Sequence, residues 1–466
     1  MNFNREDTIA ALATAPGVAA IAMLRLSGKN AFDIINKIFV SKNNKKKDFH
    51  KVKSHTLHFG SLRDGDKEVD EVLISVFKNP HSYNGEDTIE ISCHGSPYIT
   101  QQVLNLCVKS GARLAYAGEF TFRAFINGKL DLSQAEAVAD VIAADSESSH
   151  RVALQQLRGG FSNDIKKLRD ELIHFASLIE LELDFSEEDV VFANREQLKK
   201  LVSGLQITVS SLSDSFELGN VIKNGIPVVI AGKPNVGKST LLNVLLNEER
   251  AIVSEIAGTT RDTIEEVINI NGVIFRFTDT AGIRETVDKI ESLGVQRTYE
   301  KLGQSAVIIY MIDVDETSKL ELEEILKDLK DNLSDAKTII LPVVNKIDNS
   351  DLKSMEKEFQ SFDKITFISA KNKLNIDRLI KLLLEKVNLS KINFDSSIVV
   401  NARHKEALDN TNIALQKVLL GINAGITGDF LASDIREALY HLGLITGEIS
   451  TDDLLENIFS RFCIGK

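Results

Sequence analysis

The sequence has little of several residue types, and each shortage narrows what the protein can be. Among its 466 residues there are no tryptophans, six prolines and three cysteines. The cysteines, Cys93, Cys107 and Cys463, are too few and too scattered for a disulfide framework or a zinc cluster, which points to a reducing compartment. No apolar run reaches the roughly 18 residues of a membrane span, and no signal-peptide pattern opens the chain. We therefore expect a cytoplasmic protein without membrane contact.

Net positive charge is also missing, since 55 lysines and arginines stand against 67 aspartates and glutamates, a formal charge of −12. Such a chain cannot attract nucleic acid through bulk charge, so any such contact has to be local or shared with a partner. The basic stretch from Lys42 to Lys53 is either a solvated loop or a patch that faces RNA. With 43% hydrophobic and 26% charged residues, the composition is globular. The length favours three domains of about 100–200 residues each.

The hydrophobic pattern divides the chain into four segments. Strands mixed with one or two helices occupy 1–118, amphipathic helices occupy 119–218, strands and helices alternate over 219–387, and helices return over 388–466. Alternation is typical of a doubly wound parallel sheet, so we expect an α/β domain inserted into a helical domain built from both flanks. The strand-forming runs are Ile9–Ala13, Ala19–Leu26, Thr56–Leu62, Val69–Phe77, Thr88–Cys93, Val228–Ala231, Ile308–Ile312, Thr338–Val344 and Thr366–Ser369, with a hairpin over Val267–Thr278 that turns at Asn271-Gly272. The helical runs include Ala31–Val40, Ile99–Lys109, Ala402–Leu420 and Leu431–Phe462.

A phosphate-binding loop (the P-loop, Gly232 to Ser239) begins the α/β domain. It reads G-K-P-N-V-G-K-S, fits the pattern G-x-x-x-x-G-K-S, and stands between an apolar run and a helical stretch. The glycines let backbone N–H groups turn inward around phosphates, and the helix N-terminus adds a favourable dipole. We expect Lys238 at the β- and γ-phosphates and Ser239 at Mg²⁺.

A second motif, from Asp279 to Gly282, reads D-T-A-G at the end of a predicted strand. Its carboxylate can hold a Mg²⁺ water, and the Gly282 N–H can sense the γ-phosphate. Thr259 and Thr260 are the natural switch threonines, one of which should ligate Mg²⁺ when the γ-phosphate is present. Ile283 stands where Ras-type GTPases have the glutamine that orients the attacking water. Because an aliphatic side chain cannot do this, either the chain is a poor hydrolase or another group does that work.

Two further motifs specify the base as guanine. N-K-I-D ends at Asp348, whose carboxylate can accept from guanine N1–H and N2–H₂ together, a donor pair that adenine lacks. Asn345, the first residue of that motif, can bond the N7/O6 side. The Ala370 N–H, within S-A-K (Ser369 to Lys371), can bond O6. The ordered set of motifs therefore predicts a GTP site.

With these residues in view, nearly the whole chain resembles the MnmE/TrmE family, the GTPases of tRNA wobble-uridine modification. The most specific match is the C-terminus, Ile458 to Lys466, which reads I-F-S-R-F-C-I-G-K. The other matching motifs are Thr8–Ala13 with Ala22–Gly28, Tyr83–Asp87, Gly118–Thr121 with Asn127–Asp131, Leu183–Phe185, the P-loop with Asn235, and Gly258–Asp262.

The resemblance implies a multidomain α/β plus α protein. Its N-terminal α/β domain (1–118) would bind folate and make a homodimer, a Ras-like P-loop G domain (219–387) would be inserted, and 119–218 with 388–466 would form the helical domain. It implies a K⁺-activated GTPase that works on tRNA with an FAD-dependent partner subunit, as a heterotetramer. The product would be a carboxymethylaminomethyl-type group at C5 of the wobble uridine, with one carbon from a tetrahydrofolate derivative in the 5-formyl or 5,10-methylene form.

By motif, the family's folate contacts fall on Arg25, Glu86 and Lys129, with Lys466 nearby. A carboxylate suits the pterin amino and N3–H donors, and cations suit the glutamate tail. Without the resemblance, Arg25 is interpreted as a strand-end surface residue and Glu86 as a turn carboxylate. Cys463 also has two interpretations, an inert near-terminal cysteine or a catalytic thiol close to the folate.

The resemblance also supplies groups that the G motifs lack. Alignment with the family points to Glu291 as an acid that replaces the missing glutamine and acts through a second water. A positive charge that stabilises the phosphate oxygens during phosphoryl transfer would come from K⁺ in a ring of neutral oxygens. Arg261 and Arg284 of the same chain are the alternative sources of this charge. The K⁺ ligands carried over are Asn235, Ser254, Ile256 and Thr259, the Mg²⁺ ligands are Ser239 and Thr260, and the other GTP-binding residues are Val236, Gly237, Lys238, Thr240, Glu255, Ala257, Gly258, Asp279, Thr280, Ala281, Gly282, Asn345, Lys346, Asp348, Ser369, Ala370 and Lys371.

Two other functions fit part of the sequence. A standalone ribosome-assembly or signalling GTPase would use the same G motifs, but the N-terminal segment and the C-terminal tail favour tRNA modification, and no KH-type domain is visible. A folate domain that is itself a one-carbon transferase would differ only in where the chemistry occurs. Nucleoside analysis of tRNA from a deletion strain separates tRNA modification from the standalone GTPase. Loss of the modified wobble uridine would support the modification function, and tRNA that keeps this uridine would contradict it.

Overall fold

The structure is a computed structural model, and it describes residues 6–42, 47–184, 195–247, 252–253, 265–279, 305–333, 338–349, 365–386 and 397–465, together with 355, 357, 359 and 362. The chain separates into two units. The first consists of Met1–Ile142, Leu154–Ser210 and Glu406–Lys466, and the second of Ala143–Ala153 and Ser211–Lys405. Among the described helices, none is long and apolar enough to cross a membrane.

Each unit contains one seven-stranded sheet. In the first unit more and less buried side chains alternate along several strands, as expected for a sheet that is covered mainly on one face. In the second unit the central strands are buried almost throughout, as expected for a parallel sheet covered on both faces. The strands are β1 (Ile9–Leu12), β2 (Ile21–Ser27), β3 (Phe39–Ser41), β4 (Thr56–Asp64), β5 (Lys67–Phe77), β6 (Thr88–His94), β7 (Arg113–Leu114), β8 (Ile226–Ala231), β9 (Ile252–Val253), β10 (Glu265–Ile270), β11 (Val273–Asp279), β12 (Val307–Asp313), β13 (Ile339–Asn345) and β14 (Thr366–Phe367).

The helices begin and end at residues that satisfy free backbone groups. Ser318 and Thr451 accept N–H groups through their hydroxyls at two helix starts, and Gly447, with φ 82, ends another helix in the left-handed region. The helices are α1 (Ala31–Ile38), α2 (Pro97–Lys109), α3 (Glu119–Ile126), α4 (Leu132–Ala143), α5 (Glu147–Leu157), α6 (Gly160–Asp184), α7 (Arg195–Asn224), α8 (Lys238–Leu246), α9 (Lys319–Asn332), α10 (Ile376–Lys386), α11 (Ala402–Ala424), α12 (Gly428–Thr446) and α13 (Asp452–Phe459).

The first unit is built on the sheet β3-β4-β5-β6-β2-β1-β7. Its neighbouring strands are antiparallel except for β1 and β7, which run parallel. Helices α1 and α2 cover one face, where Leu26, Ile35 and Val103 belong to a single apolar core. On the other face, Ala11 of β1 packs with Phe120 of α3. That second face is where Arg25 lies, because Arg25 is the register partner of Ala11.

Helices complete the first unit. Phe122 of α3, Leu132 of α4 and Phe459 of α13 share a second apolar cluster, and α6 packs along α12. Arg169 of α6 donates from Nη1 to the Leu439 carbonyl of α12 at 2.7 Å. The amphipathic periodicity of the sequence is therefore used for helix–helix packing, as predicted.

The second unit is built on the sheet β14-β13-β12-β8-β11-β10-β9. The five strands from β14 to β11 run parallel, while β10 and β9 are antiparallel to their neighbours. Parallel strands place their carboxyl ends at one edge of the sheet, where open α/β sheets bind ligands. The P-loop follows β8, Asp279 ends β11 and Asn345 ends β13. Three motifs that are distant in sequence therefore share this edge.

The predicted fold class, an N-terminal α/β domain with helices and a doubly wound P-loop domain, is confirmed. The predicted hairpin is also present as β10 and β11, with φ 53 at Asn271 and φ 83 at Gly272, the two positive values that a type I′ turn needs. The run Leu431–Phe462, predicted as continuous helix, is instead two helices, since α12 ends at Thr446 and α13 starts at Asp452. The run Ala31–Val40 is helical only to Ile38, because Phe39–Ser41 pairs with β4.

Candidate functional site

The P-loop has the backbone conformation of a phosphate cradle. Gly232 and Gly237 have φ values of 143 and 100, and Asn235 has φ 62. A Cβ on Gly232 would lie 2.2 Å from a backbone oxygen of β12, and one on Gly237 would lie 2.3 Å from Asn345 Nδ2. Both positions therefore require glycine, for conformation and for space. Because α8 begins at Lys238, at the end of the loop, its N-terminus faces the position where the loop would hold an anion.

Lys238 holds its ammonium inside this loop. Its side chain is buried, and Nζ donates to the carbonyls of Gly232 at 2.9 Å and Lys233 at 2.8 Å. Val236 is also buried and anchors the loop on the apolar core. Ser239 and Thr240, in the first turn of α8, are exposed. The loop therefore combines one fixed cation, a helix N-terminus and an exposed hydroxyl, which is the set of groups that binds a triphosphate with Mg²⁺.

Asn345 connects the P-loop to the S-A-K motif. Its Nδ2 donates to the Val236 carbonyl at 2.7 Å, and its Oδ1 accepts from the Ala370 N–H at 2.9 Å. The sequence predicts both Asn345 and the Ala370 N–H as contacts of the base, whereas in the structure they bond to each other. The physical reason is burial, since Asn345 is only 3% exposed and its side-chain amide needs both a donor and an acceptor partner. Asn345 therefore braces the site, and a contact with guanine stays a prediction.

Asp348 is exposed beside this brace. Its Oδ1 accepts from the Ser369 hydroxyl at 2.6 Å, and the Ser369 Oγ accepts from the Asn372 N–H at 3.2 Å. The hydroxyl bond from Ser369 lowers the pKa of the Asp348 carboxyl, with smaller contributions from Lys371 and Lys346. The carboxylate is therefore held ionised and oriented, the state in which it can accept from two N–H donors of guanine.

Two acidic residues that the sequence did not predict hold lysines of the nucleotide motifs. Asp313, buried at the end of β12, forms an ion pair with Lys346, and this hydrogen bond raises the pKa of Lys346. Glu321, at the start of α9, pairs with Lys233 of the P-loop. Asp313 could have been found from sequence, because it follows an apolar run at the ligand-binding edge of the sheet, whereas nothing local marks Glu321.

Several predicted residues lie outside the described part of the chain. They include the catalytic candidate Glu291, the folate candidate Lys466 and the alternatives Arg261 and Arg284. Asp279 is described as the last residue of β11, but its side chain is not. The remaining ones are Ser254, Glu255, Ile256, Ala257, Gly258, Thr259, Thr260, Thr280, Ala281 and Gly282.

A second polar site lies in the first unit, around Glu86. Its Oε2 accepts from the Ser27 hydroxyl at 3.0 Å and from Asn84 Nδ2 at 2.9 Å. Arg123 Nη1 donates to Glu86 Oε1 at 3.1 Å and to Oε2 at 3.2 Å. Ser27 and Arg25 are two residues apart on β2, so their side chains share one face of the sheet. The structure therefore brings the predicted folate residues Arg25 and Glu86 together.

Lys129, the third predicted folate residue, lies against the turn that carries Glu86. A Cβ on Gly85 would be 3.3 Å from Lys129 Cε and 3.3 Å from Asn127 Cβ. Asn127 Nδ2 donates to the Asn84 carbonyl at 2.7 Å and fastens the two loops together. Glycine at position 85, with φ 78, is what permits this approach.

The C-terminal tail returns to the same unit. Ile464 forms an isolated antiparallel bridge with Ala117, and Gly465 lies so close to β1 that a Cβ would be 2.2 Å from the Leu12 carbonyl. Leu12 is the register partner of Leu24, the neighbour of Arg25 in β2. Cys463 is exposed in this tail, while burial raises the pKa of the Cys93 thiol to about 11. The structure therefore places the tail that carries Cys463 against β1, the strand that pairs with the Arg25 strand.

Three charged residues next to this site, Arg113, Glu119 and Arg123, were not predicted from the sequence. Glu119 is fully buried, and it accepts from Arg113 Nη2 at 2.8 Å and from Arg123 Nη2 at 2.9 Å. Burial opposes ionisation of Glu119, but the bonds from Arg113 and the Tyr116 N–H, with the charge of Arg123, lower its pKa overall. Arg123 thus joins the buried Glu119 carboxylate to Glu86, a residue of the predicted folate site.

Known proteins match this chain over nearly its full length. A family model described as the MnmE helical domain matches residues 132–463, and one described as the GTP-binding protein TrmE N-terminus matches residues 8–129. The tRNA modification GTPase MnmE of Cytophaga hutchinsonii is 54% identical over 463 residues, covering 99% of this chain and 98% of that protein. The MnmE protein of Flavobacterium johnsoniae is 54% identical over 467 residues, covering 99% of each.

Among solved structures, a crystal structure of an Aquifex aeolicus Era variant bound to GDP and aluminium fluoride covers 40% of this chain and 66% of its own, at 32% identity and a TM-score of 0.27.

Proposed function

Since the chain belongs to the MnmE family of tRNA modification GTPases, we propose that it is a K⁺-activated GTPase that modifies the wobble uridine of certain tRNAs. It hydrolyses GTP to GDP and phosphate. With an FAD-dependent partner subunit it adds a carboxymethylaminomethyl-type group at C5 of the uridine, and a tetrahydrofolate derivative supplies one carbon. It acts as a homodimer within a heterotetramer. Residues 1–118 bind folate and dimerise, 219–387 bind GTP, and 119–218 with 388–466 form the helical domain.

The observation that carries the proposal is the braced nucleotide site at one edge of the second sheet. Asn345 ties the P-loop to the S-A-K motif, so the elements for phosphate and for base are held in one arrangement before GTP binds. The ionised Asp348 supplies an acceptor pair that suits guanine and not adenine. Binding into such a preorganised site costs less ordering entropy than binding into a loose one.

For hydrolysis, Lys238 and the N–H groups at the start of α8 stabilise negative charge on the phosphate oxygens. Mg²⁺, when bound with GTP, neutralises charge on the β- and γ-phosphates, and Ser239 and Thr260 would hold it. Ser239 fits this role because its hydroxyl is exposed in the first turn of α8. The buried Lys238 ammonium is already fixed by two carbonyls, so little reorganisation is needed when the nucleotide arrives.

Glu291 positions the attacking water in place of the missing glutamine, through a second water. Replacing it by alanine should lower the single-turnover rate of hydrolysis by roughly 10²–10⁴, the range of a lost acid or base, while GTP affinity is kept. Measuring both quantities separates a chemical role from a binding role. Unchanged hydrolysis would remove Glu291 from the mechanism.

K⁺ supplies the cationic stabilisation that an arginine finger gives other GTPases, and Asn235, Ser254, Ile256 and Thr259 would hold it. What supports this is Asn235, an exposed neutral oxygen in a left-handed turn of the P-loop. We expect faster hydrolysis in K⁺ than in Na⁺, association of G domains with GDP, aluminium fluoride and K⁺, and loss of both effects in Asn235→Ala. Equal rates in Na⁺ and K⁺ would point instead to Arg261 or Arg284.

The folate binds at Arg25, Glu86 and Lys129, with Lys466 from the tail. The described residues fit such a ligand. Glu86 is an oriented carboxylate that suits the pterin donors, and Lys129 lies on the neighbouring turn. Arg25 carries a buried nitrogen, Nη1, that has no hydrogen-bond partner among the described residues, as expected where a ligand oxygen binds.

Cys463 is the thiol that takes part in tRNA modification. What supports this is its exposure in the tail, one residue from the bridge with Ala117 and near the strands of the folate site. We expect GTP hydrolysis not to need it, because the tail lies outside the G motifs in the sequence.

The experiment that tests the proposal is reconstitution with unmodified tRNA, the FAD-dependent partner, GTP, K⁺, glycine and ammonium as amine donors, and 5,10-methylenetetrahydrofolate labelled in its one-carbon unit. We expect label in the wobble uridine only when GTP and the partner are both present. Arg25→Ala should abolish transfer of label while GTP hydrolysis continues. Label-free tRNA in the complete mixture, with GTP hydrolysis intact, would favour a GTPase that acts elsewhere, such as in ribosome assembly.

A further inference from the structure

Arg25 and Glu90 form a direct cross-strand pair in the first sheet. They are register partners on β2 and β6, and Arg25 Nε and Nη2 both donate to Glu90 Oε1, at 3.1 and 2.7 Å. The two side chains are only 13% and 17% exposed. One edge of the guanidinium is therefore fully used by a single carboxylate oxygen.

Aromatic rings fix the remaining freedom of this guanidinium. Its central carbon lies 5.2 Å from the centroid of the Tyr83 ring and 5.6 Å from that of Phe120. Tyr83 is itself held, because its hydroxyl lies 2.9 Å from Thr121 Oγ1. With one edge bonded to Glu90 and the plane set by two rings, the third nitrogen, Nη1, points in one defined direction.

That third nitrogen has no hydrogen-bond partner among the residues that the structure describes, although it is buried. A buried guanidinium donor without an acceptor is costly, so an acceptor is expected from a ligand. Glu86 does not serve: it is paired with Arg123, and Arg25 Nη1 makes no hydrogen bond to it. Arg25 is thus paired with Glu90, and Glu86 is paired with Arg123. Arg25 and Glu86 do not neutralise each other.

We propose that Glu90 is a positioning residue for ligand binding. It binds the Nε and Nη2 edge of Arg25 and so turns Nη1 toward an oxygen acceptor of the bound folate. This inference rests on the folate site proposed above. The position of the Glu90 oxygen contributes more to ligand binding than the negative charge of its carboxylate does.

Calorimetric binding of 5-formyltetrahydrofolate to the full chain separates position from charge. Glu90→Gln keeps an acceptor oxygen at the same distance from the backbone but removes the charge, whereas Glu90→Asp keeps the charge and withdraws the oxygen by one methylene. We expect Glu90→Gln to bind almost as tightly as the unmodified chain, and Glu90→Asp and Glu90→Ala to bind roughly 10- to 100-fold more weakly, the effect of a lost charge-assisted bond. Glu68→Ala removes an exposed glutamate of the same sheet, paired with Arg63, and should bind normally.

A double-mutant cycle with Arg25→Ala gives the second readout. If Glu90 acts through Arg25, Glu90→Ala should cause no further loss of affinity in the Arg25→Ala background, whereas a general structural role would weaken binding equally in both backgrounds. Equal losses, or tighter binding by Glu90→Asp than by Glu90→Gln, would overturn the inference while leaving the folate site in place. No binding by the unmodified chain would overturn the folate site and this inference with it.

Discussion

Asn345 shows how one buried amide joins two motifs. Its Nδ2 and Oδ1 satisfy the Val236 carbonyl and the Ala370 N–H, which belong to different loops. Asn345→Ala should leave both groups without partners, at about 1–3 kcal/mol each, and should weaken GTP binding by roughly 10- to 100-fold. Titration with a fluorescent GTP analogue measures this.

Asn247→Ala is the matched control, since Asn247 is exposed at the end of α8 and its Nδ2 donates to the Asn243 carbonyl in the preceding helical turn. Equal GTP affinity in Asn345→Ala and in the control would show that the brace is not needed for nucleotide binding.

Glu119 gives the first unit a pH dependence whose sign can be worked out. Its pKa is lowered from 4.5 in the folded chain, because bonds from Arg113 and Tyr116 and the charge of Arg123 outweigh burial. Because the pKa of Glu119 is lower in the folded than in the unfolded chain, its ionised form stabilises the fold at pH values above the unfolded-state pKa. This stabilisation is lost as the pH falls through the folded-state pKa. Glu119→Gln should therefore cost about 3–5 kcal/mol at neutral pH, the effect of breaking a buried ion pair, and progressively less below pH 4.5.

Thermal unfolding from neutral pH down into this acidic range, for the unmodified chain and for Glu119→Gln, tests the expectation. Glu68→Gln, at an exposed pair with Arg63, should follow the unmodified chain throughout. A constant gap between Glu119→Gln and the unmodified chain at every pH would contradict the role of the Glu119 charge.

At the scale of elements, the sequence predicts those whose signals are local. The β10–β11 hairpin follows from Asn271-Gly272, because few residue pairs accept positive φ at both turn positions. The short strands β3 and β7 were not predicted, since they are three and two residues long and exist only through their partners. The break after α12 was also missed. It was missed because the apolar spacing of the sequence continues past Gly447. In the folded chain a Cβ at Gly447 would lie 2.8 Å from Phe125 and from Leu132, so only glycine fits at this helix end.

The C-terminal tail is an element whose placement depends on one glycine. Gly465 has φ 97, and a Cβ there would lie 2.2 Å from the Leu12 carbonyl. Gly465→Ala should displace the tail from β1 and lower tRNA modification, while GTP hydrolysis stays unchanged. Gly425→Ala is a matched control, because Gly425 has φ 67 but open space around its Cβ position. Comparable tRNA modification by both variants would show that the contact between the tail and β1 is not needed for modification.

At the scale of the whole molecule, the sequence predicts which motifs meet but not which charges pair. The G motifs could be assigned from spacing, since parallel strands bring their carboxyl ends together. The ion pairs around the proposed folate site could not be assigned, because the two members of each pair are remote in sequence. Arg113 binds Asp7, 106 residues away, and Arg25 binds Glu90, 65 residues away. Neither pair has a periodic or local signature, so only the folded sheet reveals it.

Nucleoside analysis of tRNA tests whether this chain couples GTP hydrolysis to modification of the wobble uridine. A strain lacking the chain is complemented with the unmodified gene, with Lys238→Ala or with Cys463→Ser, and the modified uridine is quantified by mass spectrometry. We predict that the deletion removes the modified uridine, that only the unmodified chain restores it, and that purified Cys463→Ser still hydrolyses GTP. Intact modified uridine in the deletion strain would contradict this coupling, and restoration by Cys463→Ser would make that cysteine structural.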